Sequence, residues 1–437
     1  MSFGAYLLYL ILTYLRPVDM FAPELATYRP MVILWIFAFV TAVVQASGRR
    51  EVASRAANFA LLALLIGTIA MSRVVNRGGA IFAAADFSTS AMLFVLTALN
   101  LTSVDRVRKT CTVLLVCMVV LALFGIMAYH FGFMSDELLV RQSTEVEGGD
   151  LDIPGIPAQD TANLYLWRVR SLGFLNDPND FGQAMVMVLP FLWGLYERRR
   201  TLRRAIMAAI PGATLFYAIY LTHSRGAVIG SVALLSFAMH RALGTVRLIA
   251  LISIAAVAIS SSSLGERGFT AKEESASQRI DAWWAGIQML RHQPILGVGY
   301  GSFTDYHDLT AHNSFVLCFA ELGIVGYFLW IGMLVIAYKG MSQVIARAPS
   351  DSVERKQATL LRSSFVGFMA CAWFLSRTYQ PGLFLLLALC ASIAWCGNDR
   401  YGRLDAASRW KPVPWVGATF LAMLLSFCTV YGFVVLN

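Results

Sequence analysis

The chain has 437 residues, 58% of them hydrophobic and 14% charged. A soluble globular domain carries about 25% charged residues, so the composition excludes a water-soluble enzyme. The formal net charge of +9 would suit a polyanionic partner, but the basic residues are spread as a membrane-topology signal and not gathered as a nucleic-acid face.

Apolar blocks of roughly 15–25 residues recur along the chain, the length that crosses ~30 Å of hydrocarbon as helix. Thirteen spans are expected, over 4–16, 31–46, 56–72, 86–102, 110–131, 178–196, 205–222, 226–240, 248–263, 314–337, 360–376, 381–396 and 414–435. The blocks are continuous, not alternating, which selects helices over barrel strands. The expected fold is therefore an all-α, polytopic integral membrane protein with about 12–13 transmembrane helices. Residues 1–16 have no basic n-region and no small-residue cleavage site, so they read as an uncleaved span. The seven cysteines lie in or at the ends of spans, which gives neither a disulfide framework nor zinc-type spacing.

Lysine and arginine favour cytoplasmic loops. With the N-terminus inside, the cytoplasmic segments are 47–55, 103–109, 197–204, 241–247, 338–359 and 397–413. Together with Arg362 they hold 22 of the 35 basic residues. The loop 132–177, outside in this scheme, has eight acidic residues. The chain then divides into N-terminal spans (1–131), a first large outer loop (132–177), central spans (178–263), a second large outer loop with an interfacial helix (264–313) and C-terminal spans (314–437). Outer loops this long in a membrane protein are usually functional or disordered.

Four candidate sites fall on the outer face. Arg168 and Arg170 precede Asn176-Asp177-Pro178-Asn179, a helix start whose positive end suits a phosphate. A plain cap with interfacial arginines is the simpler reading of that stretch. His223-Ser224-Arg225-Gly226 breaks two spans with almost no loop, and an arginine there needs a partner, water or a route to the interface. Ile280, Trp283, Trp284, Ile287 and Leu290 form one helical face, expected to lie on the outer leaflet with Arg279 at headgroup height. The glycine-rich Pro294–Phe303 reads as a tight turn, because no strand precedes it to make a dinucleotide fingerprint. His312 follows it, just before the tenth span, with Asn313 or Ser314 as cap; a neutral imidazole takes a proton from a hydroxyl near pH 7.

The order of these motifs resembles the O-antigen ligase and polymerase superfamily over roughly 165–340. The carriers are Arg170 to Asn179, Ser224–Gly226, Arg279 to Trp283, Pro294 to Phe303, His312–Ser314 and Glu321 to Gly326. Tyr9 to Pro30, with Arg16-Pro17 and Arg29-Pro30, is similar to a branch of O-glycosylation ligases linked to exosortase systems. The resemblance implies a cofactor-free, metal-independent membrane glycosyltransferase that moves a glycan from undecaprenyl diphosphate to an acceptor outside the cytoplasm of a bacterial cell. It also implies about twelve spans with both ends inside, one fewer than the count above.

On this reading Arg170, Arg225 and Arg279 hold the donor diphosphate, since guanidinium forks match phosphate oxygens. His312 is the general base. Arg168, Asn176, Asn179 and Asn313 are secondary contacts. The partners expected are the lipid-linked donor, a glycan, lipid or protein acceptor, and the bilayer, with no nucleic acid. A polymerase joining lipid-linked repeat units uses the same pattern. A glycan-lipid transporter or flippase would need ionisable residues near the midplane, where Glu321 is the exception to otherwise apolar spans. A structural subunit would not need a histidine and three arginines on one face.

The orientation is tested by tags. Reporters in 197–204 and 338–359 should register the cytoplasm and reporters in 140–160 the periplasm; an outside signal from 197–204 would invert the scheme.

Overall fold

Proline opens the helices that begin at Pro30, Pro178 and Pro381, Gly132 closes the one that ends at Phe131, and Ser103, Asn313 and Ser352 cap others. The computed structural model describes residues 2–46, 56–76, 79–143, 165–197, 201–240, 244, 274–401 and 413–436. Thirteen helices of ten residues or more are found among the described residues. They are α1 (Ser2–Leu15), α2 (Pro30–Ala46), α3 (Ala56–Asn76), α4 (Ala80–Asn100), α5 (Val104–Phe131), α6 (Pro178–Glu197), α7 (Leu202–Leu221) and α8 (Arg225–His240), then α9 (Glu274–His292), α10 (Ser314–Arg347), α11 (Val353–Ala372), α12 (Pro381–Tyr401) and α13 (Val413–Leu436).

Seven of them, α3, α4, α5, α7, α10, α12 and α13, are long and apolar enough to cross a membrane, and α1, α2 and α8 are shorter apolar helices. The protein is an all-α polytopic membrane protein. Every expected span except 248–263 coincides with a helix; that one lies outside the described residues. Helix α6 runs through the interior, buried from Asp180 to Phe191, so its polar first turn faces protein.

The hub is α10, which packs against α3, α9, α11, α12 and α13. It is broken at Gly323, where φ is 63° and ψ −164°. A break in a buried helix frees carbonyls before it and amides after it, and each needs a partner. The glycine-rich segment supplies them. Val298 and Gly299 donate to the carbonyls of Ala320 and Glu321 at 2.9 and 3.0 Å. Ile324 and Val325 donate to those of Pro294 and Ile295 at 2.8 and 3.3 Å. Contact this close leaves no room for a side chain. A Cβ on Gly297 would fall 2.3 Å from the Glu321 carbonyl carbon, and one on Gly323 2.4 Å from that of Ile295. Glu321, 2% exposed, accepts the Phe303 amide at 3.1 Å and so braces the same loop. Arg73, from the end of α3, closes it from the other side with a 2.7 Å bond to Ser302 Oγ.

The structure adds detail to two expectations. The first outer loop is not all loop: β1 (Leu139–Ser143) and β2 (Tyr165–Val169) pair antiparallel, Leu139 opposite Val169. Val169 is fully buried against α5, where a Cβ on Gly125 would meet it at 2.4 Å. The helix expected at the interface, α9, is part of the bundle. It packs on α10 and α13, burying Ala282, Trp283, Ile287 and Met289 and leaving Trp284 47% exposed. Gly286 admits the close contact with α10: a Cβ there would fall 2.5 Å from Val316 Cγ1.

Gly323→Ala is expected to cost at least ~2 kcal/mol, combining left-handed strain with the clash at Ile295. Thermal unfolding in detergent measures it. Gly417→Ala in α13, where nothing lies within 4 Å of the added carbon, should be neutral or slightly stabilising.

Candidate active site

The loops at one end of the bundle are tied together by side chains. At the start of α6, Asp177 accepts the Asn179 amide at 2.7 Å, and Pro178 occupies the first helical position. This is the cap the sequence announced. Arg168, on β2, donates from Nε to the Thr222 carbonyl at 2.9 Å and from its terminal nitrogen to Asn179 Oδ1 at 3.1 Å. It therefore bridges the α6 start to the α7–α8 turn. In that turn His223 is buried with φ 47°, and Ser224 Oγ accepts the Ala227 amide at 3.3 Å, capping α8. Arg225 opens α8 directly behind the cap. Gly182 lets the two helices meet: a Cβ there would lie 2.7 Å from that of Ala227.

His312 is held from both sides. Trp283 donates its indole N–H to the Ala311 carbonyl at 2.9 Å. Asn313 is the N-cap of α10, its Oδ1 accepting the amides of Phe315 and Val316 at 2.8 and 3.2 Å. Ser314 Oγ donates to the Leu375 carbonyl at 2.6 Å and accepts the Arg377 amide at 2.9 Å. Thr378 donates to the Ser314 carbonyl at 2.7 Å, and Thr310 bonds Ser376. The α11–α12 loop thus clamps the start of α10. His312 itself adopts φ 47°. Arg279 is one turn of α9 before Trp283, so the indole bond also brings its guanidinium toward the imidazole. Burial, then the positive charges of Arg279 and Arg377, hold His312 below its ordinary pKa of 6.5.

Arg377 is the residue the sequence reading missed. Its Nε pairs with Asp180, and a terminal nitrogen lies 3.6 Å from Asp177. A signal existed: an arginine in a short polar break between two apolar blocks, the logic already applied to Arg225. The expected span 360–376 ended one residue short of it. The candidates separate in space. Arg168, Asn179, Arg279 and His312 join the cluster with Asp177, Asp180 and Arg377, and Arg225 sits at the adjoining turn. Asn176 is exposed. Arg170 turns away, donating to the carbonyls of Glu137 and Asp136 at 2.8 and 3.2 Å. Val169 is its cause: with that side chain plugged into α5, strand alternation lifts both arginines off it, and Arg170, at the hairpin's end, meets the Ser135–Leu138 turn first. Among the described residues no group of three or more His, Cys, Asp or Glu comes together to hold a metal.

Arg377→Gln would strand Asp180, whose side chain is 10% exposed, without its cation. A loss of about 3 kcal/mol is expected, read as a lower thermal midpoint, and Arg377→Gln combined with Asp180→Asn should regain most of it.

Residues 181–331 match a family model described as O-antigen ligase. No curated protein matches the chain. The matched segment runs from the first turn of α6 through the α7–α8 turn and α9 to beyond the break in α10, and so contains Arg225, Arg279, His312 and the glycine brace. The match over residues 181–331 supports an assignment to the O-antigen ligase and polymerase superfamily.

Proposed function

We propose that this protein transfers a glycan from undecaprenyl diphosphate to an acceptor hydroxyl on the periplasmic face of the bacterial inner membrane. The observation that carries the reading is the pairing of His312, kept below the usual histidine pKa, with Arg279 beside it at a rigidly clamped helix start. Orientation rests on the arginine distribution, which puts this end of the bundle outside.

In this mechanism His312 accepts the proton of the acceptor hydroxyl. The freed oxygen attacks the anomeric carbon as the bond to the diphosphate oxygen breaks, inverting that carbon. The leaving polyprenyl diphosphate keeps the electron pair. Its growing charge is met by Arg225 and Arg279, and by the positive end of α6. Arg168 and Asn179 frame the α6 end from the hairpin side. Arg170, committed to two carbonyls, is assigned to holding the hairpin instead of the diphosphate.

In vitro transfer from purified lipid-linked donor, with donor binding measured in parallel, tests this. His312→Ala should lose about 10²–10⁴ in turnover and still bind donor. Turnover close to wild type would remove the base. The base must be neutral, so its lowered pKa places the acid limb of the kcat/KM profile, which reports the free protein, below pH 6.5. In Arg279→Gln the loss of a neighbouring positive charge raises that pKa, and the limb should move toward neutrality.

A further inference from the structure

A strip of aromatic rings leads from the lipid-facing side of the bundle to the Ser224-Arg225 turn. Tyr217 and Tyr220, one turn apart on α7, have near-parallel rings with centroids 6.4 Å apart. The ring of His130, at the end of α5, lies parallel to Tyr217 at 5.8 Å, and its Nε2 is 2.6 Å from the Tyr217 hydroxyl. At the other end Tyr220 meets His223 at 5.6 Å. Tyr217 is 41% exposed and Tyr220 38%, whereas His223 is buried at 5%. The strip therefore runs from open surface into the turn that carries Arg225.

Tyrosines collect at membrane interfaces with no substrate involved. A belt of that kind needs no order. Here the rings follow one another along a single face, fixed by the i, i+3 spacing of α7 and by the His130 bond, and they end at the proposed diphosphate-binding arginine. Their level selects the occupant. Tyr220 lies ~1.5 Å and Tyr217 ~6 Å below the end of α7 along its axis. Both are on the hydrocarbon side of Arg225. A donor anchored there by its diphosphate sends its glycan outward and its isoprenoid chain down past these two rings. Rings with their hydroxyls at the wet edge offer flat apolar faces to such a chain.

We propose that Tyr217 and Tyr220, stiffened by His130, form the seat for the first isoprene units of the donor lipid. The proposal rests on the donor assignment made above. The test uses the full-length protein and two donors with the same glycan diphosphate, a long one on an undecaprenyl chain and a short one capped by a methyl group that carries no isoprene unit. The wild-type protein should show a lower KM for the long donor. In Tyr217→Ser/Tyr220→Ser the ratio of short-donor to long-donor KM should fall about tenfold. Tyr217→Phe/Tyr220→Phe, which keeps both rings, should retain the ratio. If the serine variant is not recovered folded, Tyr220→Ala alone should lower the ratio in the same direction. An unchanged ratio in a folded serine or alanine variant overturns the seat. So does a loss shared equally by both donors, which is what an interfacial anchor would give. Failure of the wild-type protein to transfer from either donor would instead defeat the donor assignment.

Discussion

Four backbone hydrogen bonds across the break in α10 hold together the end of this protein that carries the candidate site. Helix interiors in a membrane satisfy their own backbone, so an interruption is tolerated only where other protein supplies the missing partners. Pro294 to Gly299 does so with its own amides and carbonyls, and it comes close enough because Gly297 and Gly323 carry no side chain. The two glycine motifs of the sequence are thus halves of one joint. Their spacing has nothing to do with nucleotide binding.

The joint orders what lies next to it. The segment leaving it toward α10 is the one that carries His312. It is pinned by Trp283 at Ala311, by the Asn313 cap and by the α11–α12 loop at Ser314. None of these contacts is made by the imidazole. Clamping by neighbours fixes the position of the ring without using its nitrogens, as the proposed base role requires. Charge is handled in the same indirect way. Arg377 is matched by Asp180 and Asp177. Its positive charge still reaches His312 through a poorly hydrated site, lowering the proton affinity of the ring without a direct bond.

The helices were legible in the sequence because hydrocarbon thickness sets their length, and the caps at Pro178 and Asn313 because those side chains have one local use. Less legible was anything decided by packing at a distance. The face of α9 was read from the periodicity of Ile280, Trp283, Trp284, Ile287 and Leu290; Trp283 and Ile287 are buried, but periodicity gave no sign that Trp284 is exposed or that Gly286 admits Val316. Arg168 and Arg170 were indistinguishable as text, two residues apart on one strand. What separated them was the burial of Val169 and the pairing of the hairpin with a segment some thirty residues earlier. Arg377 was missed because its partners are nearly two hundred residues away.

The break has one more consequence. It makes the first nine residues of α10, Ser314 to Leu322, a short helix with a macrodipole of its own. The carbonyls that close this segment, those of Ala320 and Glu321, are met by the amides of Val298 and Gly299. The positive pole opens at Asn313, one residue from His312. A protonated imidazole there faces the wrong end of a dipole. The start of α10 thus disfavours a positive charge on the ring in the same sense as Arg279 and Arg377.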